Sequence, residues 1–149
     1  GKARVSRIAD KVLMGKDILY VGVWKKGDDR MVYNVIYSDG KSGRGFAKRF
    51  TMPGITRDKE YAVATDDKNS RIHHVSGNPN GEAETVEVKL SQSSTARKKI
   101  FEYDFADLEK YASRYWWRWN AAAAAAVCST NVSAAISIAA DSSAIAPVC

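Results

Sequence analysis

The segment of residues 31–61 places the strongest constraint on the fold, because its pattern predicts two β-strands joined by a turn. Residues 32–37 are dominated by β-branched and aromatic types, and the run is too short for a helix. Asp39-Gly40 then breaks the run, and this pair is typical of a tight hairpin turn in which the glycine adopts a positive φ. A second run follows at residues 46–50. The segment therefore predicts a paired hairpin.

The second run of this hairpin alternates between two faces. Phe46, Lys48 and Phe50 share one face of a strand, whereas Ala47 and Arg49 share the other. Pro53-Gly54 ends the run, because proline cannot donate to a ladder.

Further β-favouring runs recur at spacings of roughly ten residues, with Gly or Asn turns between them. They lie at residues 18–24, 62–65, 71–76, 82–90 and 100–105. Within 82–90, apolar positions 86, 88 and 90 alternate with polar ones, as in a strand with one solvated face. This spacing predicts an all-β barrel, sandwich or propeller.

Residues 121–149 differ in composition from the rest of the chain. Twelve of them are alanine, five are serine, and Asp141 is the single charged residue. Because alanine favours helix, a literal interpretation predicts a helix from about Ala121. The composition is also typical of small side chains assigned where identity is unknown, which would hide strands behind a false helical propensity. Detection of these tail peptides by mass spectrometry would overturn that hypothesis.

Positive charge is concentrated around the predicted hairpin. Residues 25–59 carry nine basic residues and four acidic ones, in a chain of net charge +6. Such a patch favours a polyanion or an acidic partner, and its effect depends on salt. A soluble surface with a modest cationic excess is the alternative interpretation.

The nine cations of this segment are candidate ligands of a phosphate backbone. They are Lys41, Arg44, Lys48, Arg49, Lys25, Lys26, Arg30, Arg57 and Lys59. Cations on a hairpin turn can follow a duplex, since each phosphate contact adds a sequence-independent, salt-dependent contribution to affinity. Alternatively, these residues keep strand edges soluble and unpaired.

The sequence pattern indicates neither catalysis nor a metal centre. His73 and His74 are neighbours in a predicted strand, so their rings point to opposite faces and cannot chelate one metal ion. Cys128 and Cys149 match no metal-ligand spacing. The loop at residues 38–45 lacks the spacing of a phosphate-binding P-loop and precedes a strand. We expect no cofactor, no metal and no nucleophile–base pair.

Two further patterns bear on location. No apolar stretch approaches the roughly 20 residues of a membrane span. No apolar segment follows the first four residues, as it would in a signal peptide. We therefore expect a cytoplasmic protein without a membrane partner.

Several separate blocks of the sequence resemble one known family. The blocks are YNVIYSDGKSG at 33–43, KRF at 48–50, GITRDKEY at 54–61, NPNGEAE at 78–84 and DFADL at 104–108. In this order they are similar to the C-terminal DNA-binding region of the A subunit of bacterial type IIA topoisomerases, in its Bacteroidetes-type form. This family includes the A subunits of DNA gyrase and of topoisomerase IV. The resemblance covers about residues 8–108.

This resemblance implies a β-pinwheel, a propeller-like disc of four-stranded blades whose basic rim bends DNA. It also implies that Lys41, Arg44, Lys48 and Arg49 lie on that rim. The region itself would be non-catalytic, and would guide or wrap double-stranded DNA for ATP-dependent strand passage. The implied partners are the B subunit of the enzyme together with the rest of the A subunit.

The chain departs from the family pattern in two ways. The Gln-Arg-Arg-Gly-Gly-Lys-Gly box of gyrase members does not occur here, which favours topoisomerase IV or an atypical gyrase. The match also stops before Glu109. We therefore expect two to three blades in a domain of residues 1–108. The tail at 109–149 is unmatched: either the pinwheel is partial, or the residue identities of the tail are wrong and hide further blade strands.

Three functional hypotheses follow. The first is the DNA-binding and DNA-bending domain of a topoisomerase A subunit. The second is a β-propeller-like protein-interaction module whose basic face meets an acidic partner. The third, an independent metal nuclease, requires a carboxylate cluster that the sequence does not indicate, and a metal-dependence assay on plasmid DNA separates it from the first.

Overall fold

The computed structural model describes residues 1–9, 11, 13, 15–92, 94, 96–108, 125–128 and 137–140. The strands among these residues are β1 Lys2–Arg4, β2 Val32–Ser38, β3 Gly45–Thr51, β4 Glu60–Ala62, β5 Arg71–Asn78, β6 Thr85–Lys89, β7 Ile100–Asp104, β8 Ala125–Cys128 and β9 Ser137–Ala140. Two short 3₁₀ turns, Pro79–Gly81 and Phe105–Asp107, complete the described elements. The all-β prediction is confirmed.

The strands form three antiparallel sheets. The largest has the order β5-β2-β3-β8, the second has the order β7-β6-β9, and β1 pairs with β4. Within the described part of the chain, every one of these sheets is open, with a strand at each edge.

The predicted hairpin is the centre of the four-stranded sheet. β2 and β3 pair from Val32 opposite Thr51 to Ser38 opposite Gly45, so the register follows directly from the turn. All seven residues of β2 are buried, because apolar clusters cover both faces of the strand. This explains why its sequence is a continuous β-favouring run without polar alternation.

The alternation predicted for β3 is confirmed by the two apolar clusters. Phe46 and Phe50 lie in the first cluster, where they stack on Tyr37 and Tyr33 of β2 with centroid distances of 5.5 and 5.9 Å. Ala47 lies in the second cluster, on the other face.

The second cluster joins the two larger sheets. Ile36 and Ala47 pack there with the buried face of β6, which presents Val86 and Val88, and with Phe105, whose side chain is fully buried. The exposed positions of β6 alternate with these, as the sequence predicted. The packing of β6 against the hairpin therefore fixes the position of the second sheet.

The hairpin loop is longer than the tight turn predicted at Asp39-Gly40. It spans residues 39–44 and is closed by hydrogen bonds from Asp39 N to Arg44 O, at 2.9 Å, and from Gly43 N to Asp39 O, at 2.8 Å. The positive φ, 67°, belongs to Gly43, not to Gly40. Gly40 instead lies against the backbone of Asn69 and Ser70, where a side chain would have no room.

The prediction of a strand at residues 18–24 is wrong. This segment joins no ladder, and most of its apolar side chains are exposed, Val21 to 71%. Two aromatic side chains tie it to the fold: Tyr20 meets the ring of Tyr33 edge-on at 6.0 Å, and Trp24 Nε1 donates to Met52 O at 2.7 Å. High β-propensity yields a strand only where a partner strand is available.

Two smaller expectations also need correction. The strand expected at 62–65 ends at Ala62, because the amides of Val63 and Ala64 turn to the carbonyl of Gly1. The literal helix in the tail is wrong for its described parts, since β8 and β9 are strands that extend β3 and β6. The expected helix start at Ala121 lies outside the described residues.

Candidate nucleic-acid interface

The loop of the β2–β3 hairpin presents two of the predicted cations to solvent. Lys41 and Arg44 are both exposed. The acidic residue of the loop, Asp39, accepts hydrogen bonds from the hydroxyl and the amide of Ser42, and these hydrogen bonds hold its pKa below the ordinary value. Because the loop is fixed by its own hydrogen bonds, the two cations project from a rigid support.

A second group of cations lies at the opposite end of the hairpin. Loop 25–30 carries Lys25, Lys26 and Arg30, and its Gly27 N donates to Pro53 O at 2.7 Å, beyond the end of β3. Arg57 and Lys59 follow shortly afterwards. All five side chains belong to exposed residues.

The two groups are separated by the length of the hairpin. The seven residues of β2 lie between loop 25–30 and the 39–44 loop, and a strand of this length spans roughly 20 Å. The fold thus places Lys41 and Arg44 at the hairpin loop and Lys25, Lys26 and Arg30 at the other end of the hairpin, whereas Arg57 and Lys59 precede β4.

Lys48 is engaged inside the fold. Its ammonium donates to Val63 O at 2.8 Å and lies 4.8 Å from the centroid of the Tyr37 ring. Burial lowers the pKa of Lys48 to about 8, because desolvation disfavours the charged form. Of the predicted cations, Lys48 is therefore among the least accessible to a phosphate.

Arg49 is engaged on the other face of β3. Its guanidinium donates from Nη2 to Gly81 O at 2.8 Å and from Nη1 to Phe105 O at 3.3 Å. These carbonyls lie at the two 3₁₀ turns that flank the second sheet. Arg49 thus connects the two larger sheets, and its guanidinium forms hydrogen bonds within the described fold.

A polar cluster around Glu84 lies beside Arg49 and was not predicted from the sequence. Glu84 Oε1 accepts from Asn34 Nδ2 at 3.1 Å, from the hydroxyl of Ser76, and from His74, whose Nε2 lies 3.0 Å away. Burial by itself would raise the pKa of Glu84, but hydrogen bonds from His74, Ser76 and Asn34 outweigh it and lower the pKa to about 2. An ionised Glu84 therefore joins β2, β5 and the segment that leads into β6.

Sequence reasoning could have identified part of this cluster. Asn34 is a polar residue in the middle of an apolar strand, and a buried amide requires a partner. The identity of that partner, 50 residues away, depends on the packing of the sheets.

Two cations beside the hairpin loop, Arg71 and Lys68, were not among the nine predicted from the sequence. Arg71 opens β5 opposite Ser38, and both Arg71 and Lys68 are exposed. They share this end of the sheet with the exposed acids Asp66 and Asp67, which reduce the local excess of positive charge.

The two neighbouring histidines have separate partners. His73 Nε2 lies 3.0 Å from Ser38 Oγ, and burial lowers the pKa of its imidazole. His74 contacts Glu84, as described above. Among the described residues, no group of three or more His, Cys, Asp and Glu side chains is arranged to hold a metal ion.

No helix in the described ranges has the length and apolar character needed to cross a membrane.

Residues 1–113 match the family described as topoisomerase C-terminal domain, Bacteroidota. The match covers more than half of the 149 residues and includes the hairpin, the Glu84 cluster and both larger sheets up to β7. It confirms the family indicated by the sequence blocks. No curated protein and no solved structure matches the chain.

Proposed function

The chain belongs to the topoisomerase C-terminal domain family of Bacteroidota, and from this membership we propose that it is a non-catalytic domain that binds and bends DNA. Its parent is a type IIA topoisomerase A subunit, of either gyrase or topoisomerase IV. The domain guides or wraps duplex DNA in the cytoplasm while the B subunit, together with the rest of the A subunit, carries out ATP-dependent strand passage.

The proposed architecture is a partial β-pinwheel. Residues 1–108 form its blades, and the tail at 109–149 contributes further strands to them. This proposal is supported by the four-stranded sheet, to which β8 of the tail adds the fourth strand.

One observation carries the DNA-binding proposal. Lys41 and Arg44 are exposed on a hydrogen-bonded loop whose acidic residue, Asp39, is occupied by Ser42. Neither cationic side chain has a partner among the residues that the structure describes, so each can pair with a phosphate without first breaking such a contact. Phosphate contacts are independent of base sequence, so binding is sequence-tolerant and weakens steeply with salt.

The seven exposed cations of the original nine are the proposed DNA contacts. They are Lys41, Arg44, Lys25, Lys26, Arg30, Arg57 and Lys59. Lys48 and Arg49 are proposed to act on DNA binding indirectly, by holding β3 against its neighbours through the carbonyls of Val63, Gly81 and Phe105.

Binding of the chain to a linear duplex of about 40 base pairs, measured over a range of salt concentrations, tests this function. We expect tight binding at low salt for unrelated sequences. Lys41→Ala/Arg44→Ala should lower the slope of log K against log salt by about two, one for each lost phosphate contact. Arg7→Ala/Lys11→Ala removes the same charge from exposed positions outside the proposed interface and serves as the control.

The absence of binding at low salt would contradict the proposal and favour the alternative, a module whose basic face meets an acidic protein. Equal slopes for Lys41→Ala/Arg44→Ala and for the control variant would contradict the assignment of the hairpin loop.

A further inference from the structure

The connection between β6 and β7 is a loop that carries none of the nine predicted cations. Leu90 N donates to Lys99 O at 2.7 Å and closes the loop at its base. Inside it, Ser94 N donates to Ser91 O at 3.1 Å, and Ala96 N donates to the buried Ser94 Oγ at 3.2 Å. These hydrogen bonds support the described residues of the loop.

This loop has a more uniform charge than either loop of the hairpin region. Residues 88–101 contain four cations and no acid, whereas loop 25–30 and the 39–44 loop each contain at least one aspartate. The neighbouring strand contributes Glu87, but its carboxylate is already paired with Lys89 at 2.8 Å.

Two of the four cations pair with other described residues, and two do not. Lys99 Nζ turns back to the carbonyls of Gln92 and Ser94, and Lys89 pairs with Glu87. Arg97 and Lys98 are exposed, and neither forms a hydrogen bond or an ion pair with another residue of the described ranges.

We propose that Arg97 and Lys98 form a second phosphate-binding point, on the loop between β6 and β7 of the three-stranded sheet, in addition to the cations of the hairpin region. This inference rests on the proposed DNA-binding function. The loop begins at Leu90, which is buried in the cluster that packs the second sheet on Ile36 and Ala47. Arg97 and Lys98 are thereby held in a fixed relation to the hairpin.

A second point changes what binding can achieve. A duplex that follows the protein surface from the hairpin loop to the three-stranded sheet is bent, and the added contacts offset the energy of bending. The Arg97–Lys98 pair therefore contributes to bending as well as to affinity.

The test uses the full chain and three double variants: Arg97→Ala/Lys98→Ala, Lys41→Ala/Arg44→Ala, and the control Arg7→Ala/Lys11→Ala. Affinity for a duplex of about 40 base pairs is measured against salt, and bending is followed by energy transfer between dyes at the duplex ends. We expect Arg97→Ala/Lys98→Ala to weaken binding at least about fivefold at roughly 0.1 M salt, with a slope lower by about two. Energy transfer on the bound duplex should also fall.

The outcomes separate the two proposals. If the unaltered chain binds and Lys41→Ala/Arg44→Ala weakens it, while Arg97→Ala/Lys98→Ala behaves like the control, the second binding point is refuted and the proposed function stands. If the unaltered chain does not bind at low salt, the proposed function fails and this inference fails with it. Arg97→Gln/Lys98→Gln repeats the test with polar side chains, and an unchanged unfolding temperature shows that the loop is intact.

Discussion

The ammonium group of Lys48 lies 4.8 Å from the centroid of the Tyr37 ring. The two residues are on adjacent strands, and the contact places a charged group over the negative face of an aromatic ring, at a position where water is largely excluded. Together with the bond to Val63 O, it makes Lys48 part of the first apolar cluster rather than of the surface.

Replacement of Lys48 by methionine tests this role. The change removes a desolvated charge and keeps the length of the side chain, so we expect the free energy of unfolding at pH 7 to change by less than about 1.5 kcal/mol. Lys48→Glu should destabilise by about 3 kcal/mol or more, because it buries an unpaired carboxylate. Urea denaturation measures both. If Lys48 contacts DNA as the family resemblance implies, Lys48→Met will weaken duplex binding as strongly as Lys41→Ala.

The lowered pKa of Lys48 also predicts a pH dependence. The folded pKa is about 8, and the ordinary value is 10.5. Between these values the unfolded chain binds more protons at this site than the folded chain does, so stability rises with pH in this interval. The increase in the free energy of unfolding from pH 8 to pH 10, measured by urea denaturation, should be smaller in Lys48→Met than in the unaltered chain. A rise of equal size in both proteins would contradict the assignment.

Arg49 should contribute more to stability than an exposed arginine does. Arg49→Met removes two charge-assisted hydrogen bonds and leaves the carbonyls of Gly81 and Phe105 without them, which should cost about 2–4 kcal/mol. Arg57→Met is the matched control, since Arg57 is exposed, and should change stability by less than about 0.5 kcal/mol. Chemical denaturation of the two variants side by side measures the difference.

Glu84 should make the fold sensitive to acid. Its pKa is about 2 in the folded chain, against an ordinary value of 4.5. Its contribution is therefore complete above about pH 4.5 and is lost as the pH falls towards 2. Glu84→Gln should lower stability at pH 7 by about 2 kcal/mol, because neutral hydrogen bonds replace charge-assisted ones. It should also flatten the stability profile between pH 4.5 and 2.5, and an unchanged profile would show that other carboxyl groups control acid unfolding.

Gly40 and Gly54 form a matched pair that tests whether the hairpin loop has room for a side chain at Gly40. A Cβ on Gly40 would lie 2.6 Å from backbone atoms of Asn69 and Ser70, whereas a Cβ on Gly54 would meet nothing within 4 Å. Gly40→Ala should therefore destabilise by about 1–3 kcal/mol. Gly54→Ala should be neutral, or stabilising by up to about 1 kcal/mol. Thermal unfolding distinguishes them, and equal effects would mean that the loop can move away from the 67–70 turn.

The centre of the fold could be predicted from the sequence because the relevant signals are local. The β2–β3 hairpin is encoded by adjacent β-favouring runs with turn residues between them, and a period of two assigned Phe46 and Ala47 to the correct faces. The half-buried strand β6 follows from the same rule. In each case the neighbours that determine the structure lie within a few residues.

The rest could not be predicted because its determinants are distant in sequence. The pairing of Lys2 with Ala62 joins segments 60 positions apart, and neither segment contains a sequence signal that identifies its partner. Residues 18–24 have strong β-propensity, but no ladder is available to them among the described strands. The same limit applies to the interface, where composition identified the cations but could not separate the exposed Lys41 from the internally bonded Lys48.

The position of β8 and β9 has a consequence for synthesis. Each extends a sheet whose other described strands lie within residues 32–104, by pairing with β3 or with β6. During translation, the outer edges of β3 and β6 are thus made well before their final partners. At roughly 5–20 residues per second, the interval of about 30 residues between β7 and β9 lasts a few seconds. In that time the nascent chain displays two open strand edges, each of which can pair with another chain.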